Sequence, residues 1–154
     1  MDEVSSKELK QYIVVKLGSE QYGIDIQYVD NIVRMQKITR VPKAQDYFKG
    51  VINLRGEIIP VMSLRLKFEL EADEYASKTR ILILKVEQQG AFGLIVDEVR
   101  EVVTLDTELI EKITYDPNDE RMMYLLGIGK HNDSLISLLN IQSLITEKEK
   151  DKEA

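Results

Sequence analysis

The sequence predicts an all-β fold: two small barrels of about five short strands each, with brief helical turns and a C-terminal helix. Three observations predict it. Short β-branched runs recur along the chain, punctuated by Gly, Asn and Asp turns. A pattern in the first half of the chain returns in the second. An acidic stretch poor in bulky apolar residues, 69–79, lies between the two halves and reads as a linker or excursion.

Residues 1–9 are polar. Tyr12–Leu17 is a β run, Gly18-Ser19-Glu20 breaks it, and Gln21–Ile26 alternates as the returning strand. Val29–Arg34 reads as a short turn entering a third strand. Val41-Pro42 marks a boundary, because the residue before proline avoids α geometry. Asp46–Lys49 fits one helical turn, and Leu64–Phe68 a short helix. Past the acidic stretch, Ile81–Val86 and Phe92–Asp97 form a strand pair around Gln88-Gln89-Gly90, and Val99–Leu105 continues the pattern. A helical turn follows at 106–110, with Asp106 or Thr107 as its cap. Residues 114–123 read as an exposed loop. Tyr124–Ile128 and Leu135–Leu139 are two further strands, and Asn140 caps a final helix. The expected organisation is one domain with subdomains at 10–79 and 80–139, a helix at 140–147 and a charged tail at 148–154.

The repeat has two parts. Tyr22–Val33 aligns without gaps on Phe92–Val103 at an offset of 70, aromatic on aromatic and glycine on glycine. Gly50–Leu64 aligns on Gly127–Ile141 at an offset of 77. Two barrels of this size are each marginal alone, so the sequence predicts that they share apolar faces. It also predicts a groove at the seam, with Val29–Val33 and Val99–Val103 facing one another. A small-molecule-binding β module using that groove is the alternative to a protein-binding role.

Composition excludes several functions. The chain has 154 residues, enough to bury roughly 68–70% of its unfolded surface without a metal or disulfide. It has no cysteine, which removes disulfides, thiolate metal sites and cysteine nucleophiles and fits a reducing cytosol. No apolar run approaches the ~20 residues that span a bilayer, and the acidic start lacks the apolar core of a signal peptide. A net charge of −6 with scattered lysines argues against nucleic acid. No tryptophan and only three phenylalanines supply a base-stacking surface poorly.

A search for chemistry yields no catalytic set. The one histidine, His131, lies in a polar turn, Lys130-His131-Asn132-Asp133, with no orienting partner in view. Asp97 and Glu98 are neighbours on a strand and point to opposite faces, so they cannot share a metal side by side. Asp116 with Asp119 and Glu120 lacks EF-hand spacing. The glycine pairs match neither a phosphate-cradling loop nor a dinucleotide fingerprint. The sequence therefore predicts no catalytic residue, no metal and no cofactor.

What remains is a protein-binding surface. Gly50–Arg65 reads as a hairpin with a lone arginine, Arg55, at its tip. Pro60 interrupts the second strand and places that part of it at a sheet edge or bulge.

Tyr22-Gly-Ile-Asp-Ile, Val29 and Ile32, the run Lys49-Gly-Val-Ile-Asn-Leu-Arg-Gly-Glu-Ile-Ile-Pro-Val61 with Leu64-Arg65, and Gly93-Leu-Ile-Val-Asp-Glu-Val99 together resemble the CheW family of chemotaxis coupling proteins. The resemblance covers roughly residues 10–146, and its specific part is Gly-Val-x-Asn-Leu-Arg-Gly-x-Ile-x-Pro. It implies two five-stranded SH3-like barrels around a shared hydrophobic core, and a scaffold without catalysis. It implies a cytoplasmic protein, monomeric in isolation, that joins the cytoplasmic tips of transmembrane chemoreceptors to the regulatory domain of the histidine kinase CheA within receptor arrays. Carried over by motif, receptor contact falls on Val29, Ile32, Arg55, Val99 and Val102, and kinase contact near Gly50, Leu54 and Gly56. Some family members carry Glu where this chain has Asn31, and that carboxylate can pair with the turn arginine; here Asp30 or Glu57 could substitute, or Arg55 is free for a partner.

Overall fold

The structure, a computed structural model, describes residues 8–113, 116 and 118–146. Among the described residues, ten strands carry the fold: β1 (Leu9–Leu17), β2 (Glu20–Asp25), β3 (Val29–Arg34), β4 (Phe48–Leu54), β5 (Glu57–Ser63), β6 (Arg80–Val86), β7 (Gly90–Val96), β8 (Glu98–Asp106), β9 (Leu125–His131) and β10 (Ser134–Leu139). Two short helices, α1 (Leu64–Lys67) and α2 (Ile141–Thr146), each follow a hairpin. The fold is all-β, as the sequence predicts.

The strands form two five-stranded sheets, ordered β8-β1-β2-β10-β9 and β3-β6-β7-β5-β4. Each sheet is built on one plan. Strands β8, β1, β2, β10 and β9 take the places of β3, β6, β7, β5 and β4. The sequence repeat fits this plan. The parallel pairings place Leu138 opposite Gly23 and Val61 opposite Gly93, partners related by the offsets of 77 and 70. Helix caps repeat as well: Ser63 Oγ accepts from Leu66 N at 3.1 Å, and Asn140 Oδ1 from Ser143 N at 3.2 Å. The cap residues' own amides donate to Tyr47 O and Tyr124 O, both at 2.7 Å.

The chain divides into two compact units that interleave in sequence. Among the described residues, one comprises those up to Val14, Glu20–Ile26 and those from Glu101 on; the other comprises Val15–Ser19 and Gln27–Arg100. The division expected at 79/80 differs from these units, because each sheet draws strands from both halves of the chain. Parallel pairing of β2 with β10 and of β5 with β7 joins segments distant in sequence, and such pairs need long crossovers that leave no local signal. The acidic stretch is accordingly no linker between units. It is a loop within the second unit, tied down by Ser63 Oγ donating to Asp73 Oδ2 at 2.6 Å and by Leu70 N donating to Arg65 O at 2.8 Å.

Each unit buries its own apolar cluster. In the first, Tyr12, Val14, Val103, Leu105, Ile136 and Leu138 pack together; in the second, Ile52, Ile59, Val61, Ile81, Ile83 and Ile95. Burial of each such side chain contributes about 1.5–3 kcal/mol.

Four local readings need correction. Phe48 and Lys49 belong to β4, and only a turn at Asp46-Tyr47 precedes them. The turn before β3 is a 3-10 turn at Ile26–Tyr28, leaving Val29–Arg34 wholly extended. Glu120–Tyr124 is a 3-10 helix capped by Asp119 within the expected loop; its residues 114, 115 and 117 lie outside the described residues. Lys130 and His131 end β9, so the second hairpin's turn is Asn132-Asp133 alone. The end of the helix at 147 and the tail at 148–154 also lie outside the described residues.

Candidate functional site: an arginine hairpin and a half-buried ion pair

Leu54 pairs with Glu57, leaving Arg55 and Gly56 as a two-residue loop. Their φ values are 54° and 85°. Positive φ at both central residues is the primed turn that matches the twist of a hairpin. Glycine adopts it freely, whereas a residue with a Cβ costs about 1–2 kcal/mol there. Asn53 Oδ1 accepts from Gly56 N at 3.0 Å and steadies the turn.

Strand alternation sorts the hairpin into two faces. Ile52, Ile59 and Val61 point into the second unit's core, and Leu54 packs half-buried against it. Asn53, Ile58 and Pro60 face solvent, with Ile58 60% exposed. Arg55 is exposed and forms no hydrogen bond or ion pair among the described residues. Of its candidate partners, Glu57 is exposed and forms no ion pair among the described residues, and Asp30 is engaged elsewhere. Asp30 meets Lys85 Nζ at 3.9 Å, and Asn31 Oδ1 accepts from Ile32 N at 2.9 Å.

Pro60 is accommodated as expected. It faces Val51, whose amide and carbonyl turn the other way, to Thr39, with N–O distances of 2.9 and 2.8 Å. Pro60 therefore occupies a position where its missing N–H would not have reached β4. On the other side, β7 pairs only from Val61 onward, so the Glu57–Pro60 half of β5 is an edge.

The other expected contact residues are less alike than the motif implies. Gly56 is exposed at the tip, whereas Gly50 is buried with φ 138°. A Cβ at Gly50 would fall on the carbonyl oxygen of Thr39, so this glycine shapes the hairpin's base rather than offering a surface. Val29 and Ile32 lie on β3, the edge of one sheet; Val99 and Val102 lie on β8, the edge of the other. Ile32 is 39% and Val102 48% exposed, while Val29 and Val99 are half-buried. Val102 falls in the first unit and the other three in the second.

The sequence reading missed an ion pair at the hairpin's base. Arg65, on α1, donates from Nε to Asp97 Oδ1 at 2.8 Å and from Nη2 to Asp97 Oδ2 at 2.7 Å. Gly18 N donates to the same Oδ2 at 2.7 Å. The Arg65 fork holds the Asp97 carboxyl below the usual carboxylate range, and Asp97 in turn raises Arg65. The repeat alignment carried a signal for it: the offsets of 70 and 77 put Gln27 and Gln142 at the corresponding positions, so the charges are not part of the duplicated plan.

His131 ends β9, with its Nε2 3.3 Å from Asn132 Nδ2. Among the described residues, no three His, Cys, Asp or Glu side chains are grouped to hold a metal, and no helix is long and apolar enough to cross a membrane.

Comparison with known proteins bears on these features. The CheW-like domain matches residues 11–149. A chemotaxis protein CheW of Helicobacter pylori is 34% identical over 140 residues, covering 91% of this chain and 84% of that protein. A chemotaxis protein CheW of Klebsiella aerogenes is 33% identical with the same coverage. The crystal structure of the scaffolding protein TtCheW from Thermoanaerobacter tengcongensis superposes with a TM-score of 0.81 at 31% identity, covering 94% of this chain and 92% of that one. With its two five-stranded sheets and the Asn53-Leu54-Arg55-Gly56 turn between β4 and β5, the chain belongs to the CheW-like domain family.

Proposed function

We propose that this chain is a non-catalytic chemotaxis scaffold that couples the cytoplasmic tips of chemoreceptors to the regulatory domain of the histidine kinase CheA. Family membership supports the scaffold role. The observation that carries the coupling role is Arg55: a cation held in a costly left-handed turn, exposed, unpaired among the described residues, and on the same hairpin as the exposed Ile58. The primed turn itself belongs to the hairpin, since Asn132-Asp133 adopt it as well; what packing does not require is an arginine in it. Arginine is among the residue types enriched at binding hot spots.

In this reading the receptor contacts Arg55 together with Val29, Ile32, Val99 and Val102. The kinase domain docks at the hairpin end, where Leu54 and Gly56 shape the tip and Gly50 acts through the backbone it permits. The protein works in the cytoplasm and is recruited to receptor arrays by these contacts.

The test is Arg55→Glu, assayed by pull-down against a receptor cytoplasmic fragment and the kinase regulatory domain, separately and together. The expected result is loss of binding with an unchanged CD spectrum. Normal binding to both partners overturns the assignment of Arg55.

A further inference from the structure

Asp97 is the single bent residue between β7 and β8. Its carboxylate is shared by the Arg65 fork and Gly18 N, and its own amide donates to Lys16 O at 3.0 Å. Arg65 reaches further, donating from Nη1 to Glu71 O at 3.2 Å. One ion pair thus ties together the β1–β2 turn, α1 at the base of the arginine hairpin, the acidic loop and the start of β8, all within the second unit. The side chains are 20% and 29% exposed, so water competes weakly for the pair. A bidentate fork fixes orientation as well as charge. Val99 lies two residues beyond Asp97.

We propose that Arg65 and Asp97 are a positioning pair: they fix the direction in which Glu98–Arg100 leaves β7, and so hold Val99 in place for the receptor. The proposal rests on the coupling function above, since it is the receptor contact that needs Val99 held. The corresponding Gln27 and Gln142 show that the duplicated scaffold has no need of charges here. The pair lies within the second unit, and the segment it anchors is the one that carries Val99.

The experiment uses the full chain with Asp97→Asn, which keeps the shape and loses the charge, and Arg65→Lys, which keeps the charge and loses the fork. Each variant is titrated separately with a receptor cytoplasmic-tip fragment and with the kinase regulatory domain, and amide hydrogen exchange is followed at Glu98–Arg100. The expected result for both variants is a folded protein with faster exchange there and receptor affinity lower by about tenfold. Kinase affinity stays within about twofold. Wild-type receptor affinity in Asp97→Asn, or equal loss of both partners, overturns the proposal, the second outcome reducing the pair to a fold staple. If the wild-type chain binds neither partner, the coupling function falls on its own; exchange then decides the pair, faster exchange at Glu98–Arg100 supporting it and unchanged exchange overturning it.

Discussion

The β4–β5 and β9–β10 hairpins share a backbone and differ in chemistry. Both close with two residues of positive φ, Arg55-Gly56 at 54° and 85° and Asn132-Asp133 at 50° and 67°. Both place a large apolar residue in solvent one position into the second strand, Ile58 at 60% and Leu135 at 58% exposure. Both begin with a buried glycine pressed against a preceding segment, Gly50 against Thr39 and Gly127 against Glu111. The tips then part company. Asparagine and aspartate tolerate the left-handed region, so the second hairpin takes the residues its geometry favours. The first hairpin holds an arginine there at a cost. It also carries Pro60 where the second has Ser137. Ser137 pairs with Tyr22, whereas Pro60 has no partner on β7. The duplicated plan accounts for the strands, the caps and the turn type; the departures from it include Arg55, Pro60 and the Arg65–Asp97 pair.

The largest effect is expected where the two hairpins are most nearly the same. Gly50→Ala should cost about 4 kcal/mol, since both its φ of 138° and the Thr39 carbonyl exclude a Cβ. Gly127→Ala should cost about 2 kcal/mol, because a Cβ there meets Glu111 O at 2.7 Å without a left-handed backbone to add strain. Urea unfolding of both variants measures the difference, and equal costs would remove the asymmetry at the hairpin bases. Next, Arg55→Asn gives the first tip the residue of the second. It should stabilise the chain by about 1 kcal/mol, or about 2–4 °C in melting temperature, while weakening partner binding. A melting temperature at or below wild type would mean that Arg55 carries no strain.

Two smaller effects sharpen the contrast. Asp97 has its carboxyl pKa lowered by the Arg65 fork, so its contribution to stability is fully present above about pH 4 and is lost as pH falls through the lower folded value. For a partly exposed pair this amounts to about 1 kcal/mol. Asp97→Asn should therefore narrow the stability difference between neutral pH and the region below pH 4, as read by thermal melts across that range. Pro60→Ser should change stability by less than about 1 kcal/mol, since the regained N–H offsets the looser unfolded chain. Its signature is a protected new amide at residue 60, marking a β5–β7 pairing extended to match β10–β2.

Much of this was legible in the sequence, and the exceptions have physical causes. The ungapped match of Tyr22–Val33 to Phe92–Val103 revealed the repeat because side-chain alternation is local. The interleaving was not legible, because pairing Ser137 with Tyr22 depends on contacts between segments far apart in the chain. Arg55 could be found from its motif, but its left-handed backbone could not, since Asn53-Leu-Arg-Gly56 permits more than one turn register. Gly50 read as a contact residue because a motif cannot distinguish a surface from the backbone beneath it. The neighbour of Asp97 in sequence, Glu98, says nothing of its partner Arg65, which lies thirty-two residues away.

The central claim is that the first tip acquired a partner-binding role that its duplicate lacks. It is tested most directly by titrating a receptor cytoplasmic fragment and the kinase regulatory domain against Arg55→Glu and, at the equivalent position, Asn132→Glu. The account predicts that Arg55→Glu lowers affinity by at least about tenfold while Asn132→Glu stays within about twofold of wild type. Equal losses in the two variants, or none in Arg55→Glu, would contradict it.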